Sequence, residues 1–130
     1  MILRYLLDTH TFLWIAGDPD RLSEKAMELV ISTGNRLFLS AASGWEMALL
    51  HRFERVELPD EPRRFVPEAM QRLSVQPISI GFSTAISAAM LPLIHRDPFD
   101  RIIIAEAMKE KMAIITKDKK MAAYDVQTIW

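Results

Sequence analysis

The chain has 130 residues, half of them hydrophobic and a quarter charged, a balance typical of a soluble globular protein and of one domain over residues 1–130. It contains no cysteine, which excludes disulfides, thiolate metal sites and cysteine nucleophiles. The net charge of −1 gives no global argument for or against a nucleic-acid partner, so only local charge can decide that question.

The first residues, "MILRYLLD", lack the features of a signal peptide. The apolar run is interrupted by Arg4, ends at Asp8 and is followed by no small-residue cleavage pattern. No apolar run elsewhere approaches the length of a membrane span. Together with the lack of cysteine, these features predict a cytoplasmic protein without a membrane partner.

Short apolar or β-branched runs alternate with helical patterns along the chain. Predicted strands occupy residues 2–7, 36–40, 75–80, 113–116 and 126–130. Predicted helices occupy residues 10–17, 23–33, 41–53, 63–73, 83–91 and 98–111, with a short helical turn at 118–124. Pro77 predicts an edge position for the third strand, because proline has no N–H to donate to a neighbouring strand. The alternation predicts an α/β fold with a mostly parallel sheet and helices on both faces.

Four acidic residues follow strands or lie near the start of the next helix. Sites in parallel sheets lie beyond the carboxyl ends of the strands, so acids at that edge are candidates for one shared site. Asp8 directly follows the first strand, and Asp118 comes two residues after the fourth. For either residue the alternative is a helix cap or a solvated charge. The full set is Asp8, Glu46, Asp100 and Asp118.

Glu46 lies in the helix predicted after the second strand, within "SAASGWEMALL". Its neighbours one helical turn away form an apolar or small face, on which an unpaired charge is costly. These neighbours are Ala42, Ser43, Leu49 and Leu50. Glu46 is therefore predicted to have a partner, a raised pKa or a bound cation, and an exposed surface position is the alternative.

The segment "RDPFDRIIIAEA" places two acids around a proline at the start of a predicted helix. Pro98 suits the first helical position, which makes Asp97 the N-cap. Asp100 is then the third helical residue, where Glu or Gln more often completes a capping box. The apolar stripe behind it should face the sheet. We therefore predict that Asp100 points into the site and that Asp97 supports it.

The predicted site is rich in carboxylates and lacks the features of other common sites. Oxygen ligands without cysteine suit Mg²⁺ or Mn²⁺ better than Zn²⁺. The three histidines, His10, His51 and His95, lack zinc-site spacings and are predicted to be ordinary polar residues of loops or the surface. No phosphate-binding glycine loop and no GxSxG elbow occurs. Carboxylates around one or two Mg²⁺ ions favour phosphodiester hydrolysis.

Basic residues flank two of the candidate acids. Two arginines lie beside Asp100 and three lysines beside Asp118, where a nucleic-acid backbone would approach a hydrolytic site. These residues are Arg96, Arg101, Lys117, Lys119 and Lys120. The alternative for each of them is a solubilising surface charge.

Four segments together closely resemble the PIN-domain ribonucleases, and among them the VapC-type toxins of bacterial type II toxin–antitoxin systems. The segments are "LLDTH", "LSAASGWEMA", "HRDPFDRIIIAEA" and "ITKDKKMAAY", and the similarity extends from residue 2 to the final "VQTIW". The resemblance implies a PIN-like α/β/α sandwich around a central parallel sheet of four to five strands.

The resemblance also implies Mg²⁺- or Mn²⁺-dependent cleavage of RNA. The implied metal site consists of Asp8, Glu46, Asp100 and Asp118, with Ser40 and Thr116 at supporting polar positions. In this hypothesis the three aspartates hold the principal ion, Glu46 completes the pocket, and an activated water cleaves RNA to leave a 5′-phosphate and a 3′-hydroxyl. A homodimer and inhibition by a cognate antitoxin protein are further implications.

Two other classes of protein remain open. A phosphoacceptor domain of the receiver type also places acids beyond parallel strands and binds Mg²⁺, but it is phosphorylated on an aspartate and leaves RNA intact. A non-catalytic PIN-like interaction module would use the same acids only as caps and ion-pair partners. Mn²⁺ titration separates this module from an enzyme, because occupancy of a metal site raises stability.

Overall fold

The computed structural model describes residues 3–130, so Ile2, the first residue of the first predicted strand, lies outside the described residues. Within that range the secondary structure agrees with the predicted order of elements. The strands are β1 (Leu3–Leu7), β2 (Asn35–Ser40), β3 (Val75–Ile78), β4 (Ala113–Ile115) and β5 (Thr128–Ile129).

The helices alternate with these strands as predicted. They are α1 (Thr9–Gly17), α2 (Glu24–Ile31), α3 (Ala41–Arg52), α4 (Pro62–Arg72), α5 (Phe82–Met90) and α6 (Pro98–Glu110). The helical turn predicted at 118–124 is reduced to a 3₁₀ turn at Met121–Ala123, and a second 3₁₀ turn occupies Pro19–Arg21. Among residues 3–130, no helix combines the length and the apolar character needed to cross a membrane.

The strands form a parallel sheet in the order β3-β2-β1-β4-β5. β1 lies at the centre, where Leu7 is paired with Leu39 of β2 on one side and with Ile115 of β4 on the other. The predicted parallel sheet is thereby confirmed, and β3 lies at its edge, as Pro77 predicts. The carboxyl ends of β1, β2 and β4 consequently lie side by side.

Two apolar clusters, one on each face of the sheet, hold the layers together. Neighbouring residues of β1 serve opposite faces, because successive side chains of a strand alternate. Leu7 belongs to the cluster that contains Phe12 of α1 and Met47 of α3, whereas Leu6 belongs to the cluster that contains Ile103 of α6. All five side chains are fully buried, and each such burial contributes about 1.5–3 kcal/mol. The fold is the predicted α/β/α sandwich.

Side-chain caps fix the helices that carry the candidate acids. Asp8 follows β1 and accepts the backbone N–H of Thr9, the first residue of α1. Ser40 ends β2 and accepts the N–H of Ala42 in the first turn of α3. Asp97 caps α6, which confirms the predicted N-cap. These local hydrogen bonds set where α1, α3 and α6 begin.

Candidate active site

One cavity at the carboxyl edge of the sheet brings the candidate acids together. We call it the acidic cavity. It has a volume of about 330 Å³ and is lined by Asp8, His10, Thr11, Trp14, Glu46, Asp97, Asp100, Lys117 and Asp118. Its acids come from the end of β1, from α3, from the start of α6 and from the loop after β4. The fold therefore collects the four predicted acids and Asp97 in one place.

Asp8 is a buried carboxylate with a donor on each oxygen. Oδ1 accepts the N–H of Thr9 and Oδ2 accepts the hydroxyl of Thr116, both over 2.7 Å. Burial raises the pKa of Asp8, and the hydrogen bond from Thr116 is the largest of the effects that oppose this rise. The interpretation of Asp8 as a mere helix cap is incomplete, because the same carboxylate also binds Thr116 and lines the acidic cavity.

Glu46 is half-buried on α3, and its Oε1 atom is fully buried without a hydrogen-bond partner among residues 3–130. Burial raises the pKa of Glu46, a side-chain hydrogen bond with Thr9 opposes this rise, and the nearby carboxylates of Asp97 and Asp8 add to it. Of the three possibilities that the sequence suggested for this residue, a raised pKa is therefore supported. The alternative of a fully exposed surface Glu is wrong.

Asp100 has the most strongly perturbed carboxyl of the acidic cavity. Burial raises its pKa to about 8, reinforced by Asp8, Asp97 and the other two acids of the cavity. It does not complete a capping box, since the backbone N–H of Asp97 donates instead to Nδ1 of His95. Asp97 itself accepts the N–H groups of Phe99 and Asp100 through Oδ1.

His95 is a site residue that the sequence interpretation missed. It is buried, and its Nε2 lies 2.8 Å from Oδ2 of Asp118 and 3.0 Å from Oδ2 of Asp100. The expectation that it is an ordinary polar loop residue is wrong. Its place two residues before Asp97 was the available signal, but only the fold shows that its ring turns toward two acids.

The donor atoms of His95, Asp100 and Asp118 all lie within 4.8 Å of one another, a spacing compatible with one bound cation. Two of the four predicted metal ligands belong to this group. Asp8 and Glu46 are outside it but line the same cavity. The raised pKa values of Glu46 and Asp100 indicate carboxyl groups that are costly to ionise without a counter-charge. The residues therefore fit a divalent cation with oxygen ligands.

The predicted basic residues divide into two groups. Lys117 lines the acidic cavity, and Arg96, Lys119 and Lys120 are exposed. Arg101 is buried, and its guanidinium donates to four backbone carbonyls, one in the last turn of α5 and three in the segment between α5 and α6. The prediction that Arg101 receives the RNA backbone is therefore wrong, because its donors are directed into the protein.

A second residue that the sequence interpretation missed is Glu106 on α6. It is buried, and neither carboxyl oxygen makes a hydrogen bond with residues 3–130. Burial raises its pKa to about 7, and the hydroxyl of Ser40 lies near enough to oppose that rise. Neither Ser40 nor Glu106 lines the acidic cavity. Ser40 instead caps α3, the helix that carries Glu46.

The acids of the cavity and the parallel sheet beneath them agree with one known family. The profile described as "PIN domain" matches residues 5–127. This chain belongs to the PIN-domain family. The match includes all the acids that line the cavity of this PIN domain.

One relative in sequence and two solved structures are similar to this chain over most of its length. Ribonuclease VapC22 of Mycobacterium tuberculosis is 31% identical to this PIN domain over 120 residues, which cover 92% of this chain and 90% of the relative. A chain of VapBC2 from Rickettsia felis, bound to a promoter DNA fragment, has a TM-score of 0.71 at 12% identity and 98% coverage of both chains. A chain of DNA-bound VapBC from Salmonella typhimurium has a TM-score of 0.65 at 16% identity, covering 98% and 97% of the two chains. At these identities the two structures support the fold.

Proposed function

We propose that this PIN domain is a Mg²⁺-dependent endoribonuclease that acts in the cytoplasm as the toxin of a toxin–antitoxin pair. The observation that carries the proposal is the convergence of acids from four separate segments on one cavity at the carboxyl edge of the sheet. The ribonuclease name of a relative 31% identical over most of the chain supports the reaction class. The phosphoacceptor alternative gains no support from the family match.

In the proposed site, Asp8, Asp100 and Asp118 hold the ion, which Mn²⁺ can replace. When bound, such an ion lowers the pKa of a water molecule and neutralises charge on the phosphate. Carboxylate oxygens outnumber nitrogen ligands in the cavity, which favours Mg²⁺ or Mn²⁺ over Zn²⁺.

The remaining residues have distinct roles in the proposal. The carboxyl group of Glu46, which lines the cavity, is an acceptor that can orient the attacking water and receive its proton. Lys117 supplies positive charge at the cavity for the RNA phosphate. The exposed Arg96, Lys119 and Lys120 extend that charge along the RNA backbone. Cleavage leaves a 5′-phosphate and a 3′-hydroxyl.

An antitoxin and a second copy of the chain are the proposed protein partners. A larger cavity of about 640 Å³ shares Glu46 and Asp97 with the acidic cavity, and Leu49, Leu50 and Phe99 contribute to its apolar part. An antitoxin segment bound there would block access to the acids. The chains of the two solved VapBC structures resemble this one in fold, and the names of those structures support a toxin–antitoxin pair.

The homodimer has a separate proposed surface. Phe82, Ile86 and Met90 recur every four residues on α5 and are 88%, 55% and 79% exposed. Such a row of exposed apolar side chains is typical of an interaction surface. Light scattering of wild-type protein and of Ile86→Asp tests it, because a dimer through this row should dissociate in the variant.

RNA cleavage by the purified protein tests the main proposal. Wild type should cleave RNA in Mg²⁺ or Mn²⁺ and not in EDTA, and end mapping should find 5′-phosphates. Asp8→Asn should lose most activity, whereas Asp20→Asn, an exposed aspartate outside the acidic cavity, should keep it. Equal cleavage by wild type and Asp8→Asn would show that Asp8 is not catalytic. Intact RNA in every metal, without Mn²⁺-dependent stabilisation, would instead indicate a non-catalytic module.

A further inference from the structure

His95 lies on the segment between α5 and α6 and contacts two acids of the acidic cavity. Its Nε2 lies between two carboxylates, 2.8 Å from Asp118 and 3.0 Å from Asp100. Two carboxyl groups at such short range disfavour each other's ionisation when no cation is present. The hydrogen bond between Nε2 and Oδ2 of Asp118, together with the 3.0 Å contact of the same nitrogen with Oδ2 of Asp100, holds the two carboxyl groups at a spacing compatible with one cation.

The other ring nitrogen indicates which form of the imidazole is present. The backbone N–H of Asp97 donates to Nδ1 over 3.2 Å, so Nδ1 presents a lone pair. In the neutral ring the hydrogen then lies on Nε2. A nitrogen that donates its hydrogen to Asp118 has no lone pair to offer a metal ion. This hydrogen-bond pattern argues against His95 as a ligand, although its distances alone would permit that role.

The segment that carries His95 is anchored from behind by Tyr124. The hydroxyl of Tyr124 accepts the backbone N–H of His95 over 2.7 Å and that of Ile94 over 3.2 Å. It also donates to the carbonyl of Pro92 over 2.6 Å. The hydroxyl therefore acts as acceptor and donor toward three of the four residues from Pro92 to His95. These hydrogen bonds fix the backbone from which the imidazole projects.

Arg101 provides a second anchor for the same segment. Its guanidinium donates to the carbonyls of Ala89, Leu91, Pro92 and His95 at 2.7–3.2 Å. Arg101 directly follows Asp100 on α6, so one helix turn carries both a carboxylate of the site and the anchor of the histidine that binds it. Such a chain of contacts leaves the ring little freedom to move away from the acids.

We propose that His95 is a positioning residue, which holds Asp100 and Asp118 together as a preformed pair of cation ligands and does not bind the cation itself. The inference rests on the proposed function only because it takes a divalent cation as the ligand. Outer hydrogen-bond partners of this kind orient metal ligands, and their loss commonly weakens metal binding 10–100-fold.

Mn²⁺ binding to wild type and three variants tests the inference. His95→Gln can place an amide N–H near the position of Nε2, His95→Asn keeps only an acceptor near that of Nδ1, and His95→Ala removes both. We expect the Kd for Mn²⁺ to rise about 10-fold or more in the Asn and Ala variants and less in the Gln variant. Wild-type affinity in His95→Ala would overturn the inference. If His95→Ala does not fold in EDTA, the contrast between Gln and Asn decides.

Spin-echo spectroscopy of the bound Mn²⁺ distinguishes a positioning residue from a ligand. The wild-type spectrum should lack the coupling of a directly coordinated ¹⁴N nucleus. A strong ¹⁴N coupling that disappears in His95→Ala would identify His95 as a ligand and would overturn the positioning role. This readout does not depend on RNA cleavage.

Cleavage assays on the same samples separate this inference from the proposed function. Wild type that binds Mn²⁺ but leaves RNA intact would contradict the nuclease, while the Mn²⁺ affinities of the variants would still decide the role of His95. Wild type that cleaves RNA, alongside variants with unchanged Mn²⁺ affinity, would contradict only the positioning role.

Discussion

The hydroxyl of Thr116 donates a 2.7 Å hydrogen bond to Oδ2 of Asp8 and thereby joins the ends of the adjacent strands β1 and β4. The same hydroxyl oxygen accepts the backbone N–H of Asp118 over 3.0 Å. One buried side chain therefore links two acids of the cavity. Because the hydrogen bond lowers the pKa of Asp8 against the effect of burial, it keeps that carboxyl available to a cation.

Thr116→Val should therefore shift the pH dependence of the site. Valine has the shape of threonine but cannot donate, so the pKa of Asp8 should rise further and Mn²⁺ binding should require a higher pH. Loss of a hydrogen bond to a buried carboxylate should also cost about 1–3 kcal/mol of stability. Calorimetric Mn²⁺ titrations between pH 5 and 9 (roughly the window in which shifted carboxyls titrate) measure the shift. Thr116→Ser keeps the hydroxyl and is the control. Superimposable pH profiles for Val and Ser would contradict this role.

Asp100→Asn should stabilise the metal-free protein while removing its response to metal. The folded wild type holds a proton on Asp100 up to a pH of about 8, whereas the unfolded chain releases it near 3.8, so wild-type stability falls as the pH rises between these values. Removing the carboxyl should add on the order of 3 kcal/mol at pH 8 in EDTA, after allowance for solvent screening. Thermal unfolding with EDTA and with Mn²⁺ measures both effects.

The same proton should govern binding of the proposed metal ion by the wild type. It must leave Asp100 before a cation can bind there, so Mn²⁺ affinity should increase with pH up to about 8 and then level off. Asp20→Asn, at an exposed position, is the matched control and should keep the wild-type stability and Mn²⁺ response. Mn²⁺ stabilisation of Asp100→Asn equal to that of wild type would exclude Asp100 as a ligand.

Glu106→Gln should reduce the loss of stability that accompanies a rise in pH from 4.5 to about 7. The pKa of Glu106 is raised from 4.5 to about 7, so the folded state keeps a proton that the unfolded state has already released. Its contribution to stability is complete below pH 4.5 and is lost as the pH rises to about 7, on the order of 3 kcal/mol in total. The advantage of Glu106→Gln over wild type should therefore grow across this interval. Urea unfolding at several pH values measures it.

A surface glutamate provides the control for Glu106. Glu68 is exposed on α4, and Glu68→Gln should leave the pH dependence of unfolding unchanged. A constant difference between Glu106→Gln and wild type from pH 4 to 8 (about the span of shifted carboxyl pKa values) would mean that Glu106 does not titrate in the folded protein as described.

Arg101→Lys should be strongly destabilising although it conserves the charge. A lysine ammonium cannot reproduce the planar array of donors that binds four carbonyls, and buried carbonyls without donors are costly. We expect a loss of about 3 kcal/mol in urea unfolding. Arg96→Lys, at an exposed position, should change stability little. Similar stabilities for the two variants would contradict the anchoring role of Arg101.

The order of strands and helices was predictable because periodicity and cap chemistry are local properties. Pro77 indicated an edge strand and Pro98 indicated the N-cap at Asp97, and both features occur. The edge strands are shorter than predicted, since β3 ends at Ile78 and β5 contains only Thr128–Ile129. An edge strand has one neighbour to pair with, and sequence pattern alone does not show where that pairing stops.

The site was predictable in its acids and not in the residues that orient them. Asp8 follows β1 directly and Asp118 lies in the loop after β4, so topology alone brings them to one edge. Arg101 follows Asp100 in the sequence, yet one helical residue turns its side chain about 100° away, toward the segment it anchors. The contact of His95 with Asp118 joins residues 23 positions apart, and no local pattern encodes it.

The central position of β1 has a consequence for protein synthesis. Asp8 emerges from the ribosome early, while Thr116, its hydrogen-bond partner, lies 108 residues later in the chain. Until β4 is made and docks beside β1, the growing polypeptide carries scattered carboxylates and no chelating pocket. Under the proposed function, a domain built in this order has no assembled site while it is still on the ribosome, so its own messenger is not exposed to cleavage until the fold closes.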